Sequence, residues 1–331
     1  MLIKHNYSIM LLVIFFSLTV SAQNKYAKLD KIARTKIPIE HNSTPGKIAS
    51  YLISFAKNDE EKARILFVYS THVLRYDIRR SGKNASASWS IKNGVGVCWN
   101  YANLYSDLCR AAGLKCIVVT GYSRGYSGFI PFRKARKKKG LHAWNAVRID
   151  KKWYLVDPTW ADGGSKLNRD VNGKKILKSN FNEKWWLPSP EIMILDHYPW
   201  YPKWQLLNSV VTIGQYRIGR RAIQNMDKRT PNYNFNDTIQ KYFWLPAEDK
   251  ELEKAKDFYR NDRGSKNSVQ SIVNAYGKKM EKAKDYDQAI EYLKACRPYT
   301  HGSPIKVFRH AKIRRKLAQY KWNYRIGKLL S

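Results

Sequence analysis

The run Gly94-Val95-Gly96-Val97-Cys98-Trp99-Asn100-Tyr101-Ala102 is followed by Leu141-His142-Ala143-Trp144-Asn145 and then by Leu155-Val156-Asp157-Pro158-Thr159-Trp160. A Cys, a His and an Asp arrive in that order, each at an element boundary. These are the parts of a thiol acyl-transfer site: a sulfur nucleophile, an imidazole that takes and returns its proton, and a carboxylate that orients the imidazole. Gly94 and Gly96 break the chain ahead of a segment in which Tyr101, Leu104, Tyr105, Leu108 and Ala112 recur at helical spacing, and Gly113 supplies the stop. The spacing predicts a helix from Cys98 to Ala112. Its first turn holds Cys98, where unpaired N–H groups and the helix dipole stabilise a thiolate and can form an oxyanion hole.

The His and the Asp read as neighbours on a hairpin. Residues His142 to Ile149 and Lys152 to Trp160 are rich in Trp, Tyr, Val and Ile, with Asp150-Lys151 as a two-residue turn. A tight turn sets Ile149 opposite Lys152 and, in the same register, His142 opposite Thr159. Asp157 is then the diagonal neighbour of His142 on the same sheet face. A slip of one residue would send Asp157 to the other face.

Further segments strengthen the pattern. Upstream lie Ala63-Arg64-Ile65-Leu66-Phe67-Val68-Tyr69 and Leu74-Arg75-Tyr76-Asp77; downstream lie Trp185-Trp186-Leu187-Pro188-Ser189-Pro190, Asp196-His197-Tyr198-Pro199 and Lys203-Trp204-Gln205-Leu206-Leu207. Together with the Cys, His and Asp segments, these resemble the transglutaminase-like superfamily of papain-type cysteine enzymes, in particular its kyphoscoliosis peptidase branch, over roughly residues 45 to 210. The resemblance implies an α+β fold with a papain/transglutaminase-like core, in which a nucleophile helix packs on an antiparallel sheet. It also implies a catalytic triad of Cys98, His142 and Asp157 that cleaves or transfers amide acyl groups through a thioester. Some members of the superfamily have lost activity and act as binding or scaffolding modules. Trp89 and Asn93, just upstream of the nucleophile, are candidates for a further oxyanion donor. Each triad residue alone also fits a structural role, as a small buried thiol, a core histidine or a turn residue before proline.

A metal is the competing use for such residues. The four Cys stand at 98, 109, 116 and 296, with no C-x-x-C pair and no H-E-x-x-H. No metal and no cofactor is expected. Lys4 and His5 precede an apolar stretch from Ile9 to Val20, and Val20-Ser21-Ala22 offers a cleavage site before Gln23. Residues 1–22 therefore read as a signal peptide, too short to span a membrane comfortably. The expected product is an exported chain, periplasmic or extracellular, that is not an integral membrane protein. In an oxidising compartment, Cys109 and Cys116 invite a check for proximity, with two buried thiols as the expected state.

The formal charge of +35 creates a positive field that attracts polyanions. Its densest cluster, Arg133, Lys134, Arg136, Lys137, Lys138 and Lys139, precedes the strand bearing His142 and suits an acidic substrate or an anionic envelope polymer. It also suits a solvated loop. Specific nucleic-acid binding is not expected, since no recognised motif for it is present. At 44% apolar and 13% aromatic residues the chain can bury a sizeable core. The expected organisation is a catalytic domain over 23–210 and a basic, mainly helical region over 211–331. The latter includes a helix from Glu248 to Tyr259 and two amphipathic helices, Val269 to Lys284 and Tyr286 to Cys296. These fit one tetratricopeptide-like hairpin near 269–296 or, the preferred reading because such hairpins stack at least three deep, a small helical appendage packed on the enzyme domain. A final basic helix runs through Lys312, Arg314, Arg315 and Lys316. Two functions fit: an exported thiol peptidase or acyltransferase acting on peptide or protein amides, and a catalytically silent module that binds envelope components or a protein partner.

Overall fold

The computed structural model describes residues 25–80, 84–125, 141–163, 166–169, 175–178, 181–226, 233–261, 266–282, 286–300 and 319. The stretch 1–22 read as a signal peptide, the basic cluster 133–139 and the basic segment around 312–316 lie outside them. The chain divides into two compact units, Met1–Thr120 with Leu141–Ser189, and Gly121–Gly140 with Pro190–Ser331.

In the first unit, helices α1 (Ala27–Arg34), α2 (Pro45–Ile53) and α3 (Asp59–Val73) precede a short strand β1 (Arg75–Tyr76). Local chemistry fixes their starts. Thr44 caps α2 with Pro45 in the first turn, and Asn58 caps α3 by accepting the Glu61 N–H at 2.9 Å ahead of three acidic residues that favour the positive helix end. Helix α3 is buried on most of its surface, including Leu66, Phe67 and the charged Arg64. The Arg64 guanidinium is matched by Asp30 (Nε to Oδ1, 2.8 Å) and Glu183 (Nη2 to Oε2, 2.8 Å), and it lies over the rings of Tyr26, Phe181 and Trp186. Planar, fully paired guanidinium is the form of positive charge that tolerates such burial.

Next come α4 (Ala87–Asn93), β2 (Val95–Gly96), α5 (Cys98–Ala111) and β3 (Cys116–Ser123). Gly94 ends α4 in the left-handed conformation, φ +60°, and β2 pairs parallel with β1. Strands β4 (Leu141–Ile149) and β5 (Lys152–Val156) form the expected hairpin, with Ile149 opposite Lys152 and antiparallel pairing through Asn145 opposite Val156. Asp150 and Lys151 take φ of 46° and 68°, the double positive turn that matches the twist of the strands. In sheet order β4 lies between β5 and β3, and α5 packs on β4. The fold is α+β, with the helix that begins at Cys98 laid on an antiparallel sheet.

The hairpin departs from expectation at its far end. Strand β5 stops at Val156, and Pro158–Ala161 forms a one-turn helix, α6, so His142 does not face Thr159 across a ladder. Pro158 has no N–H to give to a ladder, whereas its fixed φ suits a first helical turn. A small hairpin of β6 (Lys166–Arg169) and β7 (Lys175–Lys178) follows.

In the second unit, residues 121–123 at the end of β3 pair antiparallel with β8 (His197–Pro199), which follows α7 (Pro190–Met193). Helices α8 (Ile213–Ile218), α9 (Arg220–Gln224), α10 (Phe235–Trp244), α11 (Ala247–Asn261), α12 (Lys266–Glu281) and α13 (Tyr286–Cys296) come after it. Leu252 and Ala255 of α11 bury against Ile272, Val273, Tyr276 and Met280 of α12 and Cys296. A buried Lys203–Asp257 ion pair at 2.7 Å and a Trp200–Phe258 ring stack at 4.6 Å tie α11 to the segment after β8. Helix α12 begins and ends three residues earlier than the expected Val269 to Lys284, and α13 matches Tyr286 to Cys296.

Candidate thiol active site

Cys98 is the first residue of α5, as its spacing predicts, and is 8% exposed. The turn that delivers it is held by Asn100. Its Oδ1 accepts the Val97 N–H at 3.0 Å, and its Nδ2 donates to Ser90 Oγ at 2.9 Å and to the Asn84 carbonyl at 3.1 Å. This is half a capping box, because Val97 has no side-chain oxygen with which to reciprocate. The N–H groups of Asn100 and Tyr101 both donate to the Val97 carbonyl. Helix geometry supplies no preceding carbonyl for those of Cys98 and Trp99, which leaves two backbone donors at the helix start.

Small residues let the imidazole approach the thiol. Cys98 packs with Ala102, one turn on, and with Ala143, beside His142. Asn145, fully buried, donates from Nδ2 to the Ala102 carbonyl at 2.9 Å and so clamps β4 to the nucleophile helix. Tyr101 makes a second tie, its hydroxyl reaching Asp162 Oδ2 at 2.9 Å just past α6. Burial pushes the Asp162 carboxyl up to about 6, with the Tyr101 hydrogen bond pulling the other way.

His142 and Asp157 meet directly, with Nε2 to Oδ2 at 2.7 Å. Asp157 is fully buried, and its other oxygen accepts the N–H groups of Thr159 (2.9 Å) and Trp160 (3.0 Å), so one carboxylate caps α6 and holds the imidazole. An ionised carboxylate only accepts, so it fixes the proton on Nε2 and leaves Nδ1 to exchange a proton with the thiol. Cys98 lies close enough to His142 to act on its charge. Burial opposes charge on His142, but Asp157 and then Cys98 outweigh it and push the imidazole up to about 10. Because that value exceeds the ordinary 6.5, protonation of His142 favours the folded state fully below pH 6.5, and this contribution is lost as the pH rises through about 10.

The ring is also framed by indoles: Trp144 stacks at 5.9 Å between centroids, Trp160 lies at 5.3 Å, and Trp185 meets Trp160 edge-on at 4.8 Å. The sequence carried signals for both neighbours. Trp144 lies two residues along the strand from His142, on the same face, and Trp160 is the third residue after the capping Asp157. Of the two residues expected as further oxyanion donors, Trp89 is half-buried on α4, while Asn93 is exposed and gives an amide N–H to the Trp89 carbonyl at 2.8 Å. Among the four thiols, Cys109 and Cys116 are buried, free and close enough to interact, and burial pushes the Cys109 thiol well up. Among the described residues, no helix is long and apolar enough to cross a membrane.

Residues 46–158 match the model of the transglutaminase-like superfamily, a span that includes Cys98, His142 and Asp157. Over that span the chain is similar to a transglutaminase-like domain. It is 30% identical to kyphoscoliosis peptidase of Homo sapiens over 194 residues, which cover 57% of this chain and 27% of that protein. It is 27% identical to hillarin of Drosophila melanogaster over 204 residues, covering 58% of this chain and 24% of that protein. The chain thus spans about a quarter of the length of these relatives. A solved structure of a TGase overlaps 46% of this chain and 40% of its own, at 15% identity and a TM-score of 0.28.

Proposed function

We propose that the transglutaminase-like domain is a thiol enzyme that cleaves or transfers amide acyl groups of peptides or proteins. The observation that carries this reading is the His142–Asp157 hydrogen bond at 2.7 Å, with Cys98 at a helix start and close enough to act on the imidazole's charge. Cys98 Sγ attacks the amide carbon, the carbonyl π pair moves to oxygen, and the N–H groups of Cys98 and Trp99 receive that charge. On collapse the C–N bond breaks and His142 gives its proton to the departing amine, leaving a thioester. Acylation removes the sulfur's charge and with it one contribution that holds the proton on His142. The imidazole is then readier to act as base toward the acceptor. Water as acceptor gives hydrolysis; a Lys amine gives cross-linking. The designation of the human relative as a peptidase supports hydrolysis, and the formal charge of +35 supports an acidic substrate.

The test is alkylation of Cys98 by iodoacetamide as a function of pH, in wild type and in His142→Ala, followed by peptide mass spectrometry. The expected result is rapid labelling of Cys98 at neutral pH that slows about 10²-fold in the variant. Slow labelling with an ordinary thiol profile in both proteins would overturn the reading in favour of a silent binding module.

We propose further that the chain is exported, which the apolar stretch from Ile9 to Val20 and the small residues before Gln23 support. N-terminal sequencing of the protein from its native cells should then begin at Gln23, and a cytoplasmic product beginning at Met1 would refute it.

A further inference from the structure

Tyr76 lies within electrostatic reach of the nucleophile, and no step described so far uses it. Its position is set by backbone pairing. In the parallel β1–β2 ladder Tyr76 is opposite Gly96, with the Asp77 N–H donating to the Gly96 carbonyl at 2.8 Å and the Arg75 N–H to the Gly94 carbonyl at 2.9 Å. Residues paired across a ladder direct their side chains to the same face. A side chain at Gly96 would run into Asn100, in the first turn of α5. Tyr76 therefore shares the face of β2 that looks toward Asn100 and the start of α5. Its phenol lies within electrostatic reach of both Cys98 and Asp157, yet the residue is 39% exposed, so the ring borders the site and also the solvent from which a substrate arrives.

Resting on the thiol acyl-transfer reading, we propose that the Tyr76 hydroxyl donates a hydrogen bond to the carbonyl oxygen of the acyl group under attack, adding a side-chain donor to the N–H groups of Cys98 and Trp99. As the S–C bond forms and the π pair moves to oxygen, the phenol strengthens its hydrogen bond without giving up its proton. As the carbonyl re-forms, the bond relaxes, and the amine leaves with the proton of His142. Burial, with the ionised forms of Cys98 and Asp157 nearby, pushes the phenol up to about 12, so it remains an O–H donor across the neutral range.

Two reagents separate this role from any effect on the thiol. Acylation by p-nitrophenyl acetate passes through a tetrahedral oxyanion, whereas alkylation by iodoacetamide displaces iodide at a saturated carbon and forms none. Tyr76→Phe keeps the ring and removes the donor. With the full chain, and with Cys98→Ala as background, the variant should acylate about 10²-fold more slowly than wild type while its alkylation rate stays unchanged. Equal acylation rates would overturn the proposal. A parallel loss in both reactions would overturn it as well, because the phenol would then be acting on the sulfur. If wild-type Cys98 reacted with neither reagent, the thiol reading itself would fall, and this proposal with it.

Discussion

Asp157→Asn will leave the fold standing and slow acylation of Cys98 by about 10⁴-fold, the size of loss expected when a catalytic imidazole is held in the wrong tautomer. The amide oxygen of Asn can still accept the N–H groups of Thr159 and Trp160, so the cap on α6 survives. Its NH₂ group then faces Nε2 of His142, where the carboxylate oxygen now lies at 2.7 Å. A donor at that point requires Nε2 to be unprotonated, which puts the proton on Nδ1. The nitrogen that must take a proton from Cys98 would already hold one. The pH profile should change in a stated direction too. In the wild type Asp157 is the main influence that overcomes burial and holds His142 at about 10. Without that charge burial prevails, the imidazolium loses its proton at lower pH, and the alkaline limb of the rate profile moves toward acid. Rates of p-nitrophenolate release measured across pH in both proteins test this, and an unchanged rate and profile in the variant would refute this role of Asp157. Asp157→Ala should lose the same chemistry and also the cap, costing about 1 kcal/mol more in thermal or denaturant unfolding than Asp157→Asn.

Gly96→Ala should destabilise the first unit by about 3 kcal/mol, at the upper end for overpacking, which for a unit of this size lowers the melting temperature by about 6–12 °C. The new Cβ would fall 2.3 Å from Asn100 Cβ and 2.6 Å from its Cγ, too close for either residue to remain in place. Asn100 is the residue whose amide binds Val97, Ser90 and Asn84, so its displacement undoes the turn that presents Cys98. Stability and Cys98 reactivity should fall together. Gly94 provides the contrast. A Cβ there meets only the Val73 carbonyl, at 3.8 Å, and the objection is its φ of +60°, worth about 1–2 kcal/mol. Calorimetry with parallel alkylation of the two variants distinguishes them, and a Gly96→Ala protein with wild-type melting and labelling would show that Asn100 is not the anchor of the turn.

The two glycines illustrate what the sequence reveals and what it conceals. Both read as breaks before a helix, and the helix does begin at Cys98, because start signals and helical spacing are local properties of the chain. The tight hairpin at Asp150-Lys151 was legible for the same reason, and its register held for every pair that formed. The position of Asp157 relative to His142 was anticipated through the wrong geometry. The extrapolated ladder gave a diagonal neighbour, whereas Pro158 ends the strand and turns the carboxylate into a helix cap that still reaches the imidazole. The anchoring roles of Asn100 and Asn145 are not legible in the chain, because they depend on which distant groups the two amides meet, and one-dimensional spacing does not encode that. The indoles around His142 were half legible, since strand alternation alone puts Trp144 on its face. Arg64 reads as one charge in an apolar run, and only the tertiary arrangement brings Asp30 and Glu183 to it.

The double duty of Asp157 has a consequence for timing. The carboxylate is aimed at His142 only once the turn at Pro158 has closed and its two N–H groups have locked the other oxygen. A newly made chain, or one travelling unfolded, has neither the lock nor the oriented imidazole, and its Cys98 is one thiol among four. The oriented imidazole thus exists only where that turn has formed. A molecule that loosens at this turn loses the hold on the imidazole even where the rest of the unit stays folded.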